Sequence, residues 1–198
     1  YTGIPYDPAE IIDVWELMLA SVDRLQENPC YRYDLVLVGK QVLANYATVI
    51  QQKFREDYDT KDLPAFERNR REFMELIDDV DALMATHEAF LLGKWINDAK
   101  RWGTTKEESQ LYEKNARDLV TLWGDKDAFL HDYASKQWAG LFKVFEAEVV
   151  DDQIGAWEWE WVNSSEPYTD KPEGDLIVIS KAMYEKYAAK LRSIYGIE

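Results

Sequence analysis

The residue types best suited to chemistry fall in one short stretch: Trp123-Gly124, followed by His131-Asp132-Tyr133. A helical pattern runs up to Trp123 and stops at Gly124. A polar, irregular turn follows, and a second helical pattern starts near Asp132. Two aromatic rings, a histidine and an aspartate are therefore expected at one inter-helix loop. Aromatic faces with a few polar groups, set on a loop of a rigid scaffold, make a surface on which a sugar ring can stack. The competing reading makes Trp123 and Tyr133 core aromatics with a polar tip. Aromatics at helical spacing are mostly packing, so residue chemistry alone favours that second reading.

Other chemistries find little support. Tight metal sites need clustered His, Cys and carboxylates at ligand spacing. His87 and His131 are the only histidines, Cys30 is the only cysteine, and no His-Glu-x-x-His pattern or calcium loop occurs. The nine glycines are scattered, mostly at helix ends, so no phosphate-cradling loop is present. No cofactor and no metal are expected. Carboxylates are too plentiful to be diagnostic. Asp78, Asp79 and Asp81 belong to a charged helix face, and Asp132 is expected to cap the helix after it. Glu158 and Glu160 flank tryptophans, but adjacent acids of this kind are usually surface charge. No catalytic residue is therefore assigned.

A net charge of −15 over 198 residues repels phosphate backbones and anionic lipid, which argues against nucleic-acid and membrane-surface partners. No apolar run approaches the roughly 20 residues needed to span a bilayer. The start, Tyr1-Thr2-Gly3-Ile4-Pro5-Tyr6, has neither a basic region nor an apolar signal core, and it lacks an initiator Met. It reads as a fragment or a processed form, and it does not fix the compartment. Cys30 follows Asn28-Pro29 at a turn; it reads as a small apolar filler or a free thiol, the filler being the default. The 8 Trp, 12 Tyr and 7 Phe are the unusual part of the composition, and they predict an aromatic-rich exposed face prone to self-association.

The elements that would position the loop are helices. Asp7-Pro8 with Glu10 is a capping box, and Ile11, Trp15, Met18, Val22 and Leu25 follow on one face up to Asn28-Pro29. A second helix is expected from about Asp34 to Tyr58, with Leu35, Val38, Val42, Tyr46 and Val49 inward. A third follows Asp62-Leu63-Pro64 and presents Phe66, Phe73, Ile77, Val80 and Met84; its opposite face, Arg68 to Glu72 with Asp78 and Asp79, reads as solvated. A fourth runs from about 88 to 102 and ends at Gly103. Thr105 with Glu108 opens a fifth, with Leu111, Asn115, Leu119 and Leu122 inward, ending at Gly124. A sixth spans about 132 to 150 through Ala134, Trp138, Leu141 and Phe145, and a last one runs from about Asp175 to Tyr195. Trp157-Glu158-Trp159-Glu160-Trp161 alternates like a strand, yet Ile154, Trp157 and Trp161 are helically spaced. A lone strand is unstable, so helix is expected there. The expectation is an all-α bundle or array of about seven to eight mostly antiparallel helices, forming one domain over residues 1–198.

The motifs are also familiar in order. Trp123-Gly124, Asp132-Tyr133-Ala134 and Lys136-Gln137-Trp138-Ala139-Gly140-Leu141 resemble the C-terminal all-helical domain of glycoside hydrolase family 89, the α-N-acetylglucosaminidases. The likeness extends to Arg32-Tyr33-Asp34-Leu35-Val36, Lys40-Gln41-Val42, Phe90 to Trp95, Tyr112 to Arg117, and Gly174-Asp175 leading to Tyr184 to Tyr187. The resemblance implies a non-catalytic domain that packs on a catalytic barrel domain and walls part of a pocket for terminal N-acetylglucosamine. That family is retaining, which implies two carboxylic groups about 5 Å apart; both reside on the preceding barrel, of which this sequence has no trace. It implies pocket-wall contacts at Trp123 and Tyr133, and a weaker one at Arg32, which with Asp34 also reads as an ion pair at a helix start. A parent that is secreted, periplasmic or lysosomal is implied in the same way. Only Phe142 to Gly155 stands where the family has a longer helical stretch, rich in aromatic and basic residues. The alternatives are a stand-alone helical module binding a glycan or a peptide, and a structural or engineered helical domain without a ligand.

Overall fold

Helix-capping chemistry sets most element boundaries. The computed structural model describes residues 5–125, 129, 134–141, 160–164 and 168–196. Asp7 accepts a hydrogen bond from the Ala9 N–H (2.9 Å), and Pro8 opens α1, Pro8–Ala20. The chain breaks at Ser21, whose hydroxyl donates back to the Leu17 carbonyl (2.9 Å), and α2, Val22–Leu25, follows. The expected first helix is thus two pieces. Its buried face is Ile12, Trp15 and Val22, while Leu25 is exposed.

Asn28 caps α3, Pro29–Thr60, by accepting from the Cys30 and Tyr31 N–H groups. Pro29 at the first helical position starts this helix earlier than the apolar pattern does. Lys61 stops it in the left-handed conformation, and Asp62 at once caps α4, Leu63–Ala85. Asp175 caps the last helix, α7, Leu176–Tyr195, which Gly196 closes at φ 66°.

By contact the chain resolves into two compact units, one made of Tyr1–His87 and Glu173–Glu198, the other of Glu88–Pro172. In the first, α3 and α4 form an antiparallel pair whose contacts run from Phe54–Phe66 and Phe54–Phe73 to Gly39–Leu83. Trp15 is fully buried on this pair, and its indole N–H donates to the buried Ser180 hydroxyl on α7 (2.9 Å). Gly39 lets the helices approach: a Cβ there would lie 2.9 Å from Leu83 Cδ2 and 3.1 Å from the Trp15 ring. The α4 face expected to be solvated is only partly so. Glu72 accepts from the Tyr46 hydroxyl (2.6 Å) and Lys190, and Asp79 accepts from the Tyr187 hydroxyl (2.6 Å) and Lys186 (2.7 Å). These bonds lace α3, α4 and α7 into one layer.

The second unit holds a 3-10 turn, Glu88–Phe90, then α5, Leu92–Lys100, and α6, Lys106–Asp118. Thr105 caps α6 by accepting from the Glu108 N–H, while the Glu108 carboxylate accepts from the Thr104 N–H and hydroxyl. The two helices are antiparallel, with Trp95 Nε1 donating to the Ala116 carbonyl (2.9 Å) near one end and Lys100 paired with Glu113 (2.7 Å) near the other. Residues 134–141 correct the expected sixth helix, whose remaining span lies outside the described residues. They form no helix: Ser135 takes the left-handed conformation (φ 46°), the Ala139 N–H donates to the Phe90 carbonyl (2.7 Å) and the Leu92 N–H to the Ala139 carbonyl (3.2 Å). Gly140 then turns the chain at φ 90°, which a helix cannot contain. Leu141 joins the core and Trp138 packs against it without any helix, which is why their spacing misled. Residues 160–162 are helical, so Trp161 sits on a helix as expected; Trp157, Glu158 and Trp159 lie outside the described residues. The fold is all-α. Among the described residues the Leu91–Ala139 bridge is isolated and no strand forms.

Candidate functional site

The candidate site begins where α6 runs out. The helix was expected to continue to Trp123, but its last residue is Asp118. The Asp118 carbonyl accepts from the Thr121 N–H (3.2 Å) and from the Trp123 N–H (2.9 Å). Its carboxylate accepts from the Gly124 N–H (3.1 Å). Thr121 donates its hydroxyl to the Arg117 carbonyl (2.9 Å), and Val120 and Leu122 are buried in the core. The inner residues of the turn are thus fixed. Trp123 takes the left-handed conformation at φ 56° and remains 44% exposed. A bulky residue at positive φ is uncommon and persists only when its surroundings hold it there.

Burial pushes the Asp118 carboxyl up from the ordinary aspartate range, against the Gly124 hydrogen bond and the Lys114 charge, which pull it down. Sequence reasoning missed Asp118, since the helical apolar pattern runs straight past it. The signal available was its place between a helix and a glycine, where aspartates bond neighbouring backbone groups.

Arg117 is the buried cation beneath this turn. Its guanidinium lies 4.5 Å from the Trp161 ring centre and 5.4 Å from that of Tyr168. It pairs with Glu113 (3.0 Å) and donates to the Trp161 carbonyl (3.4 Å). Burial pushes the Glu113 carboxyl up, but hydrogen bonds from Lys100 and Arg117 outweigh it and hold it below the usual range. Tyr168 closes the group by donating to Asn97 (3.0 Å) while accepting from Lys100 (3.3 Å). Leu111, expected to face inward, is exposed, because the buried stripe passes through Ala116, Arg117 and Val120 instead. Leu119 is exposed too, and it borders a groove of about 390 Å³ between α5 and α6 with Trp95, Trp102, Tyr112 and Asn115. Trp102 is 80% exposed there.

The other expected site residues divide. Tyr133, with His131 and Asp132, lies outside the described residues. Arg32 stands in the first turn of α3, half-buried, and donates to the Gln26 carbonyl (3.4 Å) rather than pairing with Asp34. It belongs to the first unit and Trp123 to the second. Glu160 is exposed, and Glu158 lies outside the described residues. Among the described residues no group of three or more His, Cys, Asp or Glu is placed to hold a metal ion.

The helices and the braced turn together define an all-α helical domain. Residues 1–146 match the family described as "Alpha-N-acetylglucosaminidase (NAGLU) C-terminal domain", and the chain belongs to that family. It is 29% identical to the human α-N-acetylglucosaminidase over 209 residues, covering 94% of this chain and 28% of the human one. It is similar in structure to a family 89 glycoside hydrolase from Clostridium perfringens in complex with 2-acetamido-1,2-dideoxynojirmycin. The TM-score is 0.85 and the identity 26%, over 93% of this chain and 24% of that one. A second structure from that organism, in complex with its substrate GlcNAc-alpha-1,4-galactose, gives a TM-score of 0.83 at 26% identity, over 97% of this chain and 25% of the other. The chain therefore spans about a quarter of the length of these relatives.

Proposed function

We propose that this chain is the helical accessory domain of an exo-acting α-N-acetylglucosaminidase. It packs on a catalytic barrel and walls part of the pocket that receives a terminal α-linked N-acetylglucosamine. It performs no hydrolysis alone: the two carboxylic acids that a retaining glycosidase needs belong to the barrel. Trp123 supplies an apolar ring face for the sugar or its acetamido methyl, and Tyr133 a ring and a hydroxyl.

The observation that carries this reading is the state of Trp123. A core tryptophan would be enclosed by helices, as Trp15 is; Trp123 is 44% exposed on a braced, left-handed turn. Further support comes from the Clostridium perfringens relatives, whose complexes hold a 2-acetamido sugar mimic and a GlcNAc-terminated disaccharide.

The test is kinetic and uses the full-length enzyme. Trp123→Ala and Tyr133→Phe are expected to leave the melting temperature nearly unchanged while kcat/KM on an aryl α-N-acetylglucosaminide falls tenfold or more, about 1.4 kcal/mol per decade. A core role would instead cost about 3–5 kcal/mol of stability on Trp123→Ala. Folded variants with wild-type kinetics would remove the pocket role and return the chain to the alternatives of a separate binding module or a purely structural domain.

A further inference from the structure

We propose that Asp118 is a positioning residue, whose carboxylate and carbonyl together hold the turn that presents the Trp123 ring. The inference rests on the pocket reading above and adds a second residue to it. Left-handed backbone at a tryptophan does not persist by itself; something must hold the segment on both sides of it. On the N-terminal side the fixing is hydrophobic and local, through buried Val120 and Leu122 and the Thr121 bond to Arg117. Around the Trp123 Cα itself the described fixing is polar. The Gly124 N–H, immediately past the indole, points to Asp118 Oδ1 at 3.1 Å, and the Trp123 N–H points to the Asp118 carbonyl at 2.9 Å.

One residue therefore receives the backbone on either side of the Trp123 Cα. Any side chain at 118 retains the carbonyl. Only one with an acceptor at the Oδ1 position retains the bond to Gly124. Asparagine keeps such an acceptor; alanine has none; glutamate moves it by one methylene. Asp118 needs no contact with the sugar to matter, because misplacing a contact group by about 1 Å can cost up to a hundredfold in rate.

The experiment uses the full-length enzyme carrying 5-fluorotryptophan, with the Trp123 fluorine resonance assigned by its disappearance in Trp123→Phe. Asp118→Ala is expected to shift or broaden that resonance and to lower kcat/KM about ten- to a hundredfold. Asp118→Asn is expected to rescue both. In a Trp123→Ala background Asp118→Ala is expected to cause no further loss, because a residue that acts through another has nothing left to act on. Should alanine prevent folding, Asp118→Glu replaces it and is expected to give the same resonance shift with a smaller kinetic loss. An unmoved Trp123 resonance in folded Asp118→Ala, or in Asp118→Glu where it replaces alanine, overturns the inference. So does a loss that persists undiminished in the Trp123→Ala background. If Trp123→Ala itself has wild-type kinetics, the pocket reading fails, and the resonance alone then decides whether Asp118 holds the turn.

Discussion

Arg117 shows how much a single side chain can organise. It is fully buried beside Trp161 and Tyr168, and Lys100 shares its carboxylate partner, Glu113. Taking a guanidinium out of water is expensive, and the ion pair and the aromatic faces offset that expense here. Removing the side chain leaves both a void and stranded partners. Arg117→Ala is expected to lower unfolding free energy in urea by about 3–5 kcal/mol. Arg117→Met, which keeps a linear chain against both rings, is expected to recover much of that loss. A loss below about 1 kcal/mol for the alanine variant would mean that the stack contributes nothing beyond filled space. None of this was legible in the sequence, where Arg117 reads as one more polar residue on an amphipathic helix. Trp123 was legible as a residue of interest, and its glycine neighbour located the turn. Its left-handed backbone was not, because conformation at a non-glycine residue is decided by where neighbouring N–H groups find acceptors.

At the scale of elements, caps were the readable signal. Asp7, Asp62, Thr105 and Asp175 each accept a backbone N–H at a helix start, whereas Asn28-Pro29, which reads as the end of the first helix, caps the start of α3. Helix faces were less readable. The face of α3 is wider than one stripe, since α1, α4 and α7 all pack on it. The polar bonds between helices look like solvated charge in the sequence, because a sequence does not say which charges meet. They carry a pH dependence. Burial pushes the Glu72 carboxyl up, but hydrogen bonds from Lys190 and Tyr46 outweigh it and hold it below the usual range, and Glu113 is held low in the same manner. A carboxyl with a depressed folded-state pKa stabilises the fold above its unfolded value of 4.5 and loses that contribution as pH falls through the folded value. Asp118, pushed up by burial, works in the opposite direction as pH rises above its ordinary 3.8. The melting temperature is therefore expected to fall from about pH 5 to pH 3, as the contributions of Glu72 and Glu113 are lost. Glu72→Gln with Glu113→Gln should flatten that slope; an unchanged slope would assign acid sensitivity to other groups.

For the whole molecule, the balance is between apolar exposure and charge. Leu17, Leu63, Trp102 and Phe129 stand more than half exposed on a chain of net charge −15. Exposed apolar surface favours association, and like charge opposes it. Salt screens the second and spares the first. The isolated chain is expected to bind apolar dyes and to shift toward dimers or larger species in sedimentation as salt rises from about 0.05 to 0.5 M. A monomer that is indifferent to salt and dye would mean that these side chains are scattered rather than contiguous. The order of segments along the chain has a separate bearing on how the molecule is made. The first compact unit opens the sequence, yet it is finished only by Glu173–Glu198. Trp15 waits for Ser180, and Asp13 and Glu16 wait for Arg192. On a ribosome releasing the chain from its N-terminus at about 5–20 residues per second, α1, α3 and α4 remain without their closing helix for several seconds. During that time a buried-to-be indole and the apolar face of α3 are open to solvent and to chaperones. A premature stop anywhere before α7 would thus destroy the beginning of the domain rather than trim its end.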